Sequence, residues 1–138
     1  MIIAVDFDGT LCENRWPDIG APNTKLIKKL IKMRSEGHKV ILWTMRTHCP
    51  YFGSEPGSRD LLREAVAFCE AQGLSFDGIN EPDADNAKQY GDDSRKIYAD
   101  IYIDDHNAPH SFFQEIHDSL YPIRTDGEYS DEVTLCRW

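Results

Sequence analysis

Three unbroken apolar runs punctuate the chain: Ile2-Ile3-Ala4-Val5, Val40-Ile41-Leu42-Trp43 and Ile101-Tyr102-Ile103. A strand with one wet face alternates apolar and polar side chains. A strand covered on both faces reads as a continuous run, the habit of parallel sheets. Between the first two runs, Leu26, Ile27, Leu30 and Ile31 recur at helical spacing after an Asn/Thr cap and before a glycine stop. This predicts a helix over 23–37 and a β-α-β unit. A second helix is expected from Ser58, with Leu61, Leu62, Ala65, Val66 and Cys69 on one face and a stop at Gly73; Phe76 to Ile79 reads as a short third strand. Ser111 to Leu120 shows weaker helical periodicity, and Tyr121 to Trp138 reads equally as an edge strand or an ordered tail. Strands alternating with helices predict an α/β fold, a three-layer α/β/α sandwich on a mainly parallel, Rossmann-like sheet with right-handed crossovers.

Length narrows this to a single domain over 1–138, since 138 residues bury enough surface for one core and too little for two. Apolar residues at 41% and charged residues at 28% suit a packed globular chain. With 24 acidic against 15 basic residues the net charge is −9, so no nucleic-acid partner is expected. The opening apolar run is too short for a signal peptide or a membrane span, so the chain is expected to be cytoplasmic and to have no membrane partner. The cysteines at 12, 49, 69 and 136 form no Cys-x-x-Cys pair, so reduced thiols are expected, with no structural zinc.

Charge is uneven. Residues 25–39 carry six Lys or Arg against Glu36, the pattern of a solvated helix face, whereas 77–105 hold nine acids against Lys88, Arg95 and Lys96. Sites in parallel sheets lie at the carboxyl ends of the strands, so the residues after each apolar run are the ones to inspect. They are Asp6-Phe7-Asp8-Gly9-Thr10, Thr44-Met45-Arg46 and Asp104-Asp105. Carboxylates gathered this closely repel by about 4 kcal/mol per pair at 4 Å and an effective dielectric of 20. A hard divalent cation relieves that repulsion, and an all-oxygen donor set that leaves room for water and phosphate oxygens suits Mg2+.

In order and strand context these residues resemble the motifs of the haloacid dehalogenase superfamily of phosphoryl-transfer enzymes, over residues 1 to about 120. Asp6-Phe7-Asp8-Gly9-Thr10 is similar to the first motif, Thr44 at a strand end to the second, Lys96 to the lysine of the third, and Asp104-Asp105 to the fourth. The resemblance implies that Asp6 is the nucleophile forming an aspartyl-phosphate and that Asp8 is the general acid and base. It also implies that Asp6, the backbone carbonyl of Asp8 and Asp104 hold magnesium, with Asp105 ligating it or orienting a bound water. Thr44 and Lys96 would contact substrate phosphate. Arg46 either joins them or pairs with an acid. Thr44 is also simply a β-branched strand end, and Lys88 is a rival for Lys96.

Within that family resemblance, an aspartate at position 8 implies a phosphatase rather than an ion pump. The implied reaction is magnesium-dependent hydrolysis of a small phosphorylated substrate, a phosphomonoester such as a sugar phosphate or nucleotide. The alternative is a non-catalytic phosphate-sensing, receiver-like module. The segments Thr10 to Val40 and Thr44 to Lys96 are used up by loops, helices and one short strand, which leaves no separate cap domain. Cover for an open site would come from a large substrate, from the loops Cys12–Asn23 and Met45–Gly57, or from a second subunit in a homo-oligomer. Trp16, Tyr51 and Phe52 in those loops either stack on substrate or pack on the sheet rim. Asp83-Ala84-Asp85-Asn86 hints at a calcium loop, but Lys88 stands where that loop needs glycine.

Overall fold

In chain order the elements are β1 (Ile2–Val5), β2 (Cys12–Arg15), β3 (Asp18–Pro22), α1 (Thr24–Ser35), β4 (Lys39–Leu42), α2 (Leu61–Ala71), β5 (Gly78–Ile79), α3 (Ala84–Tyr90) and β6 (Ile101–Ile103). The computed structural model describes residues 1–48, 59–92 and 94–108. The chain divides into two units, 1–105 and 106–138, and every element named here belongs to the first. The expected helix Ser111–Leu120, the tail 121–138, Cys49, Tyr51, Phe52 and the end of the Met45–Gly57 loop lie outside the described residues.

The apolar runs form a four-stranded sheet in the order β5-β4-β1-β6, every pair parallel. Val5 of β1 lies opposite Leu42 of β4 and Ile103 of β6, which brings three strand ends into line. This is an α/β fold with a parallel sheet, compatible with a Rossmann-like arrangement. Ile3, Val5, Val40 and Leu42 pack with Ile27 and Leu30 of α1 and Leu62, Ala65 and Cys69 of α2. Ala4 and Ile41 face the other way and meet Ile97, Ala99, Trp43 and Tyr102. Both faces of β1 and β4 are therefore apolar, which is why their sequences do not alternate.

Both main helices start at side-chain caps. Asn23 accepts from Leu26 N at 3.2 Å and Asp60 from Arg63 N at 2.9 Å, each satisfying an otherwise orphaned first-turn amide. The second helix thus begins at Leu61, after Asp60. The third strand is shorter than expected because the Asp77 carboxylate accepts from Val40 N at 2.8 Å and from Arg34, so a side chain takes over at the point where Phe76 would extend the ladder. Cys12 and Cys69 are free and buried in the core, and burial pushes the Cys69 thiol up to about 12, so it packs as a small apolar group. Among the described residues no helix is long and apolar enough to cross a membrane.

Two elements escape the periodicity reading. The segment expected to be a loop, Cys12–Asn23, contains the antiparallel hairpin β2–β3, whose side chains are mostly exposed and so carry no alternating signal. The helix α3 has no buried residue and spans 7 positions. Its cap is Asp83, which accepts from Asn86 N at 3.0 Å and from Lys39 Nζ at 2.6 Å. That gives the Asp83-Ala84-Asp85-Asn86 stretch a helix-capping role.

Candidate active site

The sheet runs one residue past β1: Asp6 N donates to Ile103 O at 2.9 Å, fixing Asp6 at the edge where β6 ends. Phe7 is fully buried and meets Phe68 edge to face, with ring centroids 5.8 Å apart. The chain then wraps around the Phe7 carbonyl, which accepts from the amides of Thr10, Leu11 and Cys12 at 3.2, 2.9 and 3.3 Å. Gly9 has φ +82°, and a Cβ there would overlap the Asp105 carboxylate, so only glycine fits this approach.

Thr10 joins the first and last motifs. Its hydroxyl donates to Asp6 Oδ2 at 3.3 Å and accepts from Asp105 N at 3.0 Å. Asp104 and Asp105 each place a carboxylate oxygen within 4.8 Å of the other's. Burial, reinforced by the charges of Asp104 and Asp105, pushes the Asp6 carboxyl up to about 6 against the lowering effect of hydrogen bonds from Phe7 and Thr10. Asp104 and Asp105 form an acidic pair of the kind a hard divalent cation fits, and their charges act on Asp6. The Asp8 carboxylate is held in an ion pair.

Its partner is Arg46. Arg46 Nε donates to Asp8 Oδ2 at 2.8 Å and Nη2 to Oδ1 at 2.7 Å, a two-pronged pair. Arg46 is 2% exposed and lies 5.0 Å from the Phe7 ring centroid. Of the two roles open to it in the sequence, the structure shows the pairing with an acid.

Thr44, just beyond β4, accepts at Oγ1 from Arg46 N at 3.2 Å, which leaves its hydroxyl proton to donate. Lys96 is exposed, and its ammonium lies 5.3 Å from the Tyr102 ring centroid. No ion pair joins Lys96 or Lys88 to Asp6 among the described residues. The structure thus gathers Asp6, Asp8, Thr44, Arg46, Asp104 and Asp105 at one edge and places Lys96 against Tyr102.

Asn80 is a contribution that residue-by-residue reading missed, and Thr10, although part of the first motif, has a linking role that the motif does not give. At the end of β5, Asn80 has φ +52°, accepts from Thr44 N at 2.8 Å and donates to Arg46 O at 3.1 Å. One side chain thereby fixes the Thr44–Arg46 turn. An Ile-Asn pair ending a short apolar stretch was the available signal, since asparagine tolerates the left-handed region. Asn80→Ala should cost about 1–3 kcal/mol by removing two half-buried hydrogen bonds. Chemical denaturation measures this, and an unchanged midpoint would show that the turn holds itself.

No protein-family model and no curated protein matches the chain. A solved structure described as the conserved protein coded by a locus from Bacteroides thetaiotaomicron is similar, with a TM-score of 0.61 and 33% identity over 95% of this chain and 98% of that one.

Proposed function

This chain and that conserved Bacteroides thetaiotaomicron protein belong to one family, and from the residues at the sheet edge we propose that the chain is a magnesium-dependent phosphomonoesterase. The reading takes its domain as a three-layer, haloacid dehalogenase-like fold without a separate cap, cytoplasmic and acting on a small phosphorylated molecule. The observation that carries it is the Asp6 carboxylate, half-buried, hydrogen-bonded to Thr10 and pressed by Asp104 and Asp105, with Asp8 two residues on.

Asp6 attacks phosphorus, and the bond from phosphorus to the alcohol oxygen breaks. The departing oxygen keeps the electron pair and takes a proton from the Asp8 carboxyl. Water then attacks the aspartyl-phosphate and gives its proton to Asp8, and Asp6 leaves with the electron pair of its broken bond. Magnesium held by Asp6, Asp104 and the Asp8 carbonyl, with Asp105 ligating or orienting, would supply the positive charge that lets an anionic nucleophile approach a phosphate. The Thr44 hydroxyl donates to a phosphate oxygen, and Lys96 contributes its charge after leaving the Tyr102 ring.

A screen of sugar phosphates, nucleotides and aryl phosphates with magnesium tests the reading. Release of inorganic phosphate with repeated turnover is expected. No release from any of them, together with stable phosphorylation of the protein by acetyl phosphate, would replace the enzyme with a receiver-like module.

Substrate selection is assigned to the hairpin. Trp16, between β2 and β3, is 52% exposed and offers a flat apolar face. Trp16→Ala should raise KM for the best natural phosphoester and leave a minimal aryl phosphate nearly unaffected. Equal loss on both would indicate folding damage, and no loss on either would move specificity elsewhere.

A further inference from the structure

A guanidinium has five N–H donors, and in Arg46 each of them already has an acceptor. Nε and one Nη2 proton hold the two oxygens of Asp8 at 2.8 and 2.7 Å. The second Nη2 proton goes to Asp18 O at 2.8 Å, and the two on Nη1 go to Pro17 O at 3.2 Å and Leu61 O at 3.4 Å. The Arg46 side chain is 1% exposed, whereas that of Asp8 keeps 18%. An arginine that grips substrate phosphate presents at least one donor outward. This one presents its fork inward to a carboxylate that itself keeps some exposure.

We propose that Arg46 is a positioning residue: it holds the Asp8 carboxyl in a single orientation toward the departing oxygen and does not itself bind phosphate. The inference rests on the phosphatase reading and adds to it the device that aims the acid and base. Burying a guanidinium is costly unless its hydrogen bonds are complete, and here three backbone carbonyls complete them. Two of these come from the β2–β3 hairpin at its turn and one from the start of α2. Arg59 fastens the same turn, donating from Nη1 to Asp18 Oδ1 at 2.8 Å while Nε and Nη2 hold Glu64 of α2. The aim of Asp8 therefore depends on the hairpin being seated against α2. A planar two-pronged grip fixes both position and tilt of a carboxylate, which the single ammonium of a lysine cannot do.

Leaving groups separate this role from phosphate binding and from simple structural support. A nitrophenolate departs without a proton, whereas an alkoxide needs one, and kcat/KM reports that first departure. Arg46→Lys should lower kcat/KM for glycerol phosphate by about 10²-fold or more, within the range of a lost acid-base contribution, and lower that for p-nitrophenyl phosphate far less. In an Asp8→Asn background, Arg46→Lys should cause no further loss on glycerol phosphate, because the group it aims is gone. Equal losses on both esters, or losses that multiply with Asp8→Asn, would overturn the proposal while leaving the phosphatase reading intact. A wild-type protein that hydrolyses neither ester would remove that reading and the proposal together. Should the variant fail to fold, the Arg46 Nε–H resonance of the wild-type protein decides. It should stay in place when inorganic phosphate and magnesium are added, and a shift would mark Arg46 as the phosphate's partner.

Discussion

Asp6→Asn is expected to abolish turnover and at the same time to make the metal-free protein more stable. The first effect follows from loss of the nucleophile, for which comparable removals cost on the order of 10⁶-fold. The second follows from the surroundings of Asp6. Its pKa rises from 3.8 in the unfolded chain to about 6 in the fold, because burial and then Asp104 and Asp105 disfavour its charge. A carboxyl raised in the fold contributes stability that is full below the unfolded pKa and is lost as pH rises through the folded one. At pH 7.5 the wild-type protein in EDTA therefore carries an ill-placed charge, and Asp6→Asn removes it. Thermal melts should show the variant several degrees higher at pH 7.5, with the gap closing toward pH 4. A variant of lower melting temperature in EDTA at pH 7.5 would contradict the electrostatic picture, and one with normal activity would contradict the nucleophile.

Removal of the cation is the second large effect. Chelation with EDTA should eliminate phosphate release, and added magnesium should restore it, because three carboxylates at the sheet edge leave an approaching phosphate dianion facing like charge. Magnesium at about 100 times its dissociation constant should also stabilise the wild-type fold by about 2.7 kcal/mol. Asp104→Asn should shift the magnesium dependence of turnover to higher concentration, with activity partly recovered at saturating metal. Full activity in EDTA, or a magnesium requirement unmoved by Asp104→Asn, would dismiss the metal site.

The parts of this molecule that were legible in its sequence are those whose burial is read along the chain. β1, β4 and α1 were visible because both faces of the two strands and one face of the helix pack into cores, and β6 because Tyr102 and Ile103 border those cores; the strand-end rule then pointed to Asp6, Asp8, Thr44 and Asp104. The hairpin and α3 bury too little apolar surface to leave a period. Arg46 shows a different limit. A basic residue after a strand is expected to face solvent, and its burial is set by carbonyls of Pro17, Asp18 and Leu61 that come from distant segments. Asn80 likewise acts through a turn 34 to 36 residues away. Lys96 is assigned by its similarity to the third motif, and a motif does not report that its ammonium rests on the Tyr102 ring.

The most direct test of the account is whether phosphate becomes attached to Asp6. Asp8→Asn should slow the water attack more than the first transfer when the leaving group is good. Acid quench of that variant turning over p-nitrophenyl phosphate with magnesium, followed by peptide mass spectrometry, should find one phosphoryl group on Asp6, labile to hydroxylamine. Turnover with no such adduct in either Asp8→Asn or the wild-type protein, or an adduct on another residue, would contradict it.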